Sequence, residues 1–279
     1  MVAAPLTSTW RVAIRAVATL VASSFATAAL AAALTSGFSE YNVELPTDLR
    51  KAAGRGSVSP VVHALVTIAV PANFDAGREW PVLVVSATSD PGYQSSRRLL
   101  RAYAETALTG GWITVAADPA EAVSVEQDDV PMRLALNTAA LSVLQRQWPG
   151  AAKAPLAFGG FSGGAKYSGW LAAAFAGQGR TVIGIYLAGI NQDTLVAAAA
   201  EFQVQNAAFK RTPVFLQVGD KDEVATPADH QGVMATLKRA GFRNVRLEYF
   251  PGTHDVDPGP LRGALQWFRD LSSPAQTAR

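Results

Sequence analysis

Short apolar runs recur between His63 and Phe250. They are HALVTIAV at His63–Val70, PVLVVS at Pro81–Ser86, WITVAA at Trp112–Ala117, PLAFG at Pro155–Gly159, TVIGIYLA at Thr181–Ala188, PVFLQV at Pro213–Val218 and VRLEYF at Val245–Phe250. Several are nearly continuous in apolar residues, which predicts strands covered on both faces, as in a parallel sheet. The segments between them carry helical features. In Ser95–Leu108, the residues Leu99, Leu100, Tyr103, Ala104, Ala107 and Leu108 make one stripe, which Gly110-Gly111 stops. Pro131–Trp148 begins with proline at a first helical position and ends before Pro149-Gly150. Ala165–Ala176 is helical in pattern. Thr226-Pro227-Ala228-Asp229 is an N-cap followed by an acidic third residue, opening a helix toward Ala240. Leu261–Leu271 closes the series. Repeated strand–helix units with connections this long predict right-handed crossovers and an open, mostly parallel α/β sheet with helices on both faces. In such sheets, chemistry collects at the carboxyl ends of the strands.

The start of the chain follows a different pattern. Arg11 and Arg15 precede the apolar run Ala16–Leu34, and A-x-A sites lie in its second half at Ala26-Thr27-Ala28 and Ala29-Leu30-Ala31. Residues 1–34 therefore read as a secretory signal peptide, or an N-terminal anchor if uncleaved. With the signal removed, the expected protein is secreted or periplasmic and has no membrane span. Residues 35–60 are rich in Gly, Ser and charge without a clear period, and read as a linker or arm. The domain is expected over 61–279, within the size range of one α/β unit.

Composition narrows the function classes. Of the 279 residues, 49% are hydrophobic and 16% charged, enough apolar surface for a large core. Lys and Arg number 24 against 22 Asp and Glu, and no basic block stands out, so nucleic acid is not an expected partner. With no cysteine, disulfides, thiolate catalysis and cysteine-bound zinc are excluded. No HExxH, EF-hand or Walker pattern is present, and no metal or organic cofactor is expected.

The strand Pro155–Gly159 runs into Gly160-Phe161-Ser162-Gly163-Gly164 and then into a helical stretch. This is G-x-S-x-G in the setting it requires, strand, sharp turn and helix. A serine at the apex of such a turn has strained backbone angles, and flanking glycines remove Cβ atoms that would collide. The following helix aims N–H groups and its positive end at the site. Ser162 is the candidate nucleophile.

A serine nucleophile needs a base, and the base an orienting acid. The chain has three histidines. His63 opens the first run, and His230, in the helix after Thr226, is expected to face solvent. His254 follows the last strand in Phe250-Pro251-Gly252-Thr253-His254, where a loop can carry it over the sheet edge, and it is the candidate base. The acid is expected in Gly219-Asp220-Lys221-Asp222-Glu223-Val224. Asp222 has the better spacing from Gly219, with Asp220 as the alternative. The order Ser162, Asp222, His254 is the one used by α/β-hydrolases.

From His63 to Leu271 the chain resembles the α/β-hydrolase superfamily, on the segments GFSGGAKYSGW, VGDKDEV and FPGTHDV. Within it, the Gln127-Asp128-Asp129-Val130 lead and the small glycine-rich elbow are similar to secreted esterases related to polyhydroxyalkanoate depolymerases and dienelactone hydrolases. The resemblance implies an oxyanion hole made of two backbone N–H groups. Gly163 supplies one. Where many members carry His-Gly, this chain has Ser86-Ala87-Thr88-Ser89-Asp90, so Thr88 or Ala87 supplies the other. Thr88 or Ser89 offers a hydroxyl donor as well. Between Ala188 and Pro213 there is room for one helix, too little for a large cap domain. An open, shallow site is expected, with Tyr93, Tyr167, Trp170 and Asn191 at its rim or in the core.

These readings converge on a serine hydrolase that cleaves small-molecule or polymeric carboxylic esters through an acyl-enzyme. The same groups suit a serine peptidase or an acyltransferase. A binding protein that has kept the fold without catalysis is a third reading.

Overall fold

The computed structural model describes residues 33–54, 59 and 61–272. The leader read at 1–34 lies outside the described residues, apart from Ala33 and Leu34. Among the described residues, no helix is long and apolar enough to cross a membrane.

Eight strands form one sheet: β1 Gly37–Glu44, β2 His63–Val70, β3 Val82–Ser86, β4 Ile113–Pro119, β5 Leu156–Phe161, β6 Val182–Ala188, β7 Val214–Gly219 and β8 Val245–Phe250. Their spatial order is β1-β2-β4-β3-β5-β6-β7-β8. β3 to β8 are parallel, while β1 and β2 run antiparallel to their neighbours. The helices are α1 Thr47–Ala53, α2 Ser96–Thr109, α3 Val130–Gln147, α4 Gly163–Gly177, α5 Leu195–Glu201, α6 Pro227–Arg239 and α7 Gly259–Ser272.

The apolar runs become strands because both faces are covered. On one face, Leu99, Leu100 and Tyr103 of α2 and Leu261, Leu265 and Phe268 of α7 pack on Leu83, Val85 and Tyr186. On the other, α1, α3, α4, α5 and α6 cover Val84, Phe158, Ile185 and Leu216. The cores close the way the periodicity predicts. Each fully buried Leu, Ile or Phe contributes about 1.5–3 kcal/mol relative to exposure.

Two expectations change. Residues 35–60 are more than an arm: β1 pairs with the whole of β2, from Gly37↔Val70 to Glu44↔His63, and α1 buries Leu49 and Ala53 against the core. Tyr41 and Val43 face inward, while Glu40 faces out and meets Arg97 and Arg101. The second change concerns His230, which is buried rather than solvent-facing.

The chain leaves β3 through α2 to β4, then crosses by α3 to β5 on the other side of β3. The sheet order thus reverses between β3 and β5, and the crevice at their carboxyl ends is where such sheets bind ligands. The register Ser86↔Gly160 sets those two ends side by side.

Candidate active site

Ser162 sits where β5 turns into α4, with φ +56° and ψ −122°. Only glycine adopts such angles freely, so the turn is strained and must be held by its surroundings. They leave no room for side chains. A Cβ on Gly160 would lie 2.3 Å from the Gly164 carbonyl, and one on Gly164 would lie 2.0 Å from Ser86 O. Ser162 N–H donates to Ala188 O at 2.8 Å, pinning the turn to the end of β6.

His254 reaches this turn from the loop after β8. Its Nε2 lies 3.1 Å from Ser162 Oγ, and its Nδ1 lies 2.8 Å from Asp222 Oδ2. The ring packs beside Phe161, with centroids 4.6 Å apart. The other Asp222 oxygen, Oδ1, accepts from Val224 N–H at 2.9 Å and Ala225 N–H at 2.8 Å. Burial alone would raise the Asp222 pKa. The Ala225 N–H, the His254 imidazole and the Val224 N–H outweigh it and hold the carboxyl below its ordinary 3.8. An ionised Asp222 accepts from Nδ1–H, which leaves Nε2 free to accept from the serine hydroxyl.

Asp220 has a different task. Its Oδ1 accepts from Gly252 N–H at 3.0 Å, while Asp220 N–H and Lys221 N–H donate to Phe250 O and Gly252 O. These bonds fasten the loop after β7 to the loop that carries His254. Farther along that loop, Gln217 Nε2 donates to Asp257 O at 3.0 Å, and Gln217 Oε1 accepts from the Tyr186 hydroxyl.

The loop after β3 lies against the nucleophile turn. A Cβ on Gly163 would lie 2.5 Å from Thr88 Oγ1 and 3.3 Å from Thr88 Cα. Ala87 N–H donates to the buried Ser96 Oγ at 3.2 Å, so Thr88, rather than Ala87, has an uncommitted N–H beside Gly163. Among the described residues, neither the Thr88 nor the Gly163 N–H has a protein acceptor. The Thr88 hydroxyl is not a spare donor, because it donates to Asp90 Oδ2 at 2.6 Å.

The remaining candidates disperse. His63 pairs with Glu121 at 3.0 Å, on β2 at the far side of β4 and β3 from Ser162. His230 Nδ1–H donates to Thr226 O at 3.1 Å, and Nε2 accepts from Ile190 N–H at 3.0 Å, so it staples α6 to the loop after β6. Tyr93 and Asn191 are exposed, Trp170 packs edge-on against Phe202, and Tyr167 lies under the Arg133 guanidinium. The sequence reading assigned no role to Arg133 or Ser96, and it marked Asp128 only as part of the lead into α3. The signal available for them was an arginine set inside the apolar run Pro131-Met132-Arg133-Leu134-Ala135-Leu136. Between β6 and β7 the chain makes only α5 and a short turn at Phe209–Arg211, so among the described residues there is no large cap domain.

No protein-family model and no curated protein matches the chain. Solved structures do match it. An α/β serine hydrolase without a lid from Xanthomonas campestris superposes with TM-score 0.58 at 18% identity, over 88% of this chain and 99% of that one. An esterase from Pyrococcus furiosus gives TM-score 0.54 at 16% identity, over 88% and 98%. A cold-adapted esterase from an Arctic intertidal metagenomic library gives TM-score 0.54 at 14% identity, over 84% and 93%.

Proposed function

Taking as premise that the chain has the α/β-hydrolase fold, we propose that it is a serine hydrolase of carboxylic esters with Ser162 as nucleophile. The observation that carries the reading is the unbroken hydrogen-bond chain from Ser162 Oγ through His254 to Asp222, built on a strained turn.

Ser162 Oγ attacks the ester carbonyl carbon as its proton passes to His254 Nε2. The carbonyl oxygen becomes an oxyanion and takes hydrogen bonds from the N–H groups of Gly163 and Thr88, at the positive end of α4. Asp222 holds the imidazole in the required tautomer and stabilises its cation. Collapse of the tetrahedral intermediate breaks the bond to the alcohol oxygen, which leaves with the proton from His254. Water then attacks the acyl-enzyme, gives a proton to His254, and releases the acid as Ser162 regains its hydrogen.

Without a large cap, the site suits small-molecule or polymeric esters. The basic-then-apolar leader adds secretion to the proposal. The test is hydrolysis of a short-chain p-nitrophenyl ester by wild type, Ser162→Ala and His254→Ala. The expected loss in kcat is about 10⁴-fold or more in each variant. Folded variants that keep wild-type rates would overturn the proposal.

A further inference from the structure

Arg133, in the first turn of α3, is 1% exposed, and its partner Asp128 is 4% exposed. Nε and Nη2 donate to Oδ1 and Oδ2 of Asp128, each at 2.5 Å. Nη1 donates to Ser96 Oγ at 2.9 Å. The guanidinium also lies over the Tyr167 ring, 5.3 Å from its centroid. A buried ion pair rarely stabilises a fold more than apolar residues of equal volume, because desolvation offsets the Coulomb attraction. What a planar guanidinium does supply is direction, since its donors point along fixed vectors.

Through Ser96 and Asp128 the fixed cation reaches two segments beside Ser162. Ser96 Oγ accepts from Arg133 on one side and from Ala87 N–H on the other, which fixes the backbone just before Thr88. Tyr167, in the opening turns of α4, donates its hydroxyl to Asp128 O at 2.5 Å. Asp118, at the end of β4, accepts from Ser96 N–H at 2.7 Å and Arg97 N–H at 3.0 Å, which fixes the start of α2. The loop after β3 and the helix after β5 are thus tied through one buried cation. The first carries Thr88 and the second carries Gly163.

We infer that Arg133, acting through Ser96, is the positioning residue of the oxyanion hole: it holds the Thr88 N–H at a fixed place beside that of Gly163. Neither Arg133 nor Ser96 touches substrate. Their hold is on the peptide between Ser86 and Ala87, which sets where the next peptide, carrying the Thr88 N–H, begins; the inference rests on the reading of Ser162 as nucleophile.

Two variants separate this role from a merely structural one. Ser96→Ala removes the acceptor for Ala87 N–H and leaves the Arg133–Asp128 pair in place. Arg133→Lys keeps the charge and removes the fork. Active sites are counted by titration with a serine-reactive phosphonate run to completion. Then kcat and KM for p-nitrophenyl acetate are measured per titrated site, with Tm alongside. The expected result is a fall in kcat of about tenfold to a hundredfold in Ser96→Ala, with KM changed by less than about twofold. Arg133→Lys is expected to follow it. A lowered Tm with wild-type kcat per site in Ser96→Ala overturns the inference, whether or not Arg133→Lys folds. Failure of the underlying reading looks different: the phosphonate would not titrate wild type, or Ser162→Ala would keep its activity. Either result removes the oxyanion hole from this site and the inference with it.

Discussion

His230 and His254 have the same side chain in opposite settings. His254 faces the site, while His230 is enclosed, and its Nε2 works as an acceptor for Ile190 N–H. Burial lowers the His230 pKa below the ordinary 6.5, against smaller raising effects of Thr226 O, Asp222 and Asp229. A group depressed in the folded state stabilises fully above its unfolded pKa, and the benefit fades as pH falls through the folded value. Stability is therefore expected to fall on acidification below pH 6.5, where the unfolded chain binds this proton first. The depressed Asp222 adds a second loss below 3.8. Urea midpoints measured from pH 7.5 downward test this, and His230→Gln is expected to flatten the upper step. Ser162 makes a separate prediction. Its φ of +56° costs about 1–3 kcal/mol for a residue with a Cβ. Ser162→Gly is expected to raise stability by about 1 kcal/mol over Ser162→Ala while both lose activity, as paired denaturation curves would reveal. At this scale, Ser162, Asp222 and His254 could be picked out because each follows, within two or three residues, a glycine at or just past the end of an apolar run. His230 was not, since helical position alone does not tell which side of α6 meets the β6 loop.

Elements show why some glycines are obligatory. Gly160 and Gly164 face each other and Ser86 across the turn at distances no Cβ tolerates. Gly164→Ala is expected to cost about 3 kcal/mol or more, or to prevent folding, judged by circular dichroism melts. Gly232 in α6 and Gly263 in α7 meet nothing within 4 Å and are exposed. Changing either to Ala is expected to stabilise by about 0.5–1 kcal/mol, measured the same way. The strands covered on both faces were legible nearly to the residue, because continuous apolar runs flanked by proline and glycine leave little choice. β1 was missed for a physical reason. It is an edge strand whose inward face carries Ser39, Tyr41 and Val43, too weak an alternation to stand out. Its outward Phe38 stays exposed, with the Arg101 guanidinium 5.2 Å from the ring centroid. The long-range pairing with β2 decides its state, and no local pattern contains that.

Over the whole molecule, the site is a meeting of separate parts. The end of β3 brings Thr88, β5 brings Ser162, the loop after β7 brings Asp222 and the loop after β8 brings His254. β1 and α1 touch none of them. They cover the β2 edge and bury Leu45 and Leu49. A chain lacking the first 54 residues exposes that edge and an apolar face. It is expected to self-associate, eluting in size exclusion at a larger size than the protein that keeps β1 and α1. The global order of strands was legible only as far as mostly parallel. The antiparallel start depends on β1 and β2 docking at one side, a choice that local periodicity does not encode.

The last strand has one more consequence. Among the described residues, β8 is the last strand in sequence and an outer edge of the sheet, paired with β7, and His254 lies just beyond it. A polypeptide emerging from the ribosome can complete the turn at Ser162 long before it possesses His254. It stays chemically silent through most of its synthesis. On the proposed mechanism, turnover waits until β8 has joined the sheet, so activity reports that this far edge has docked.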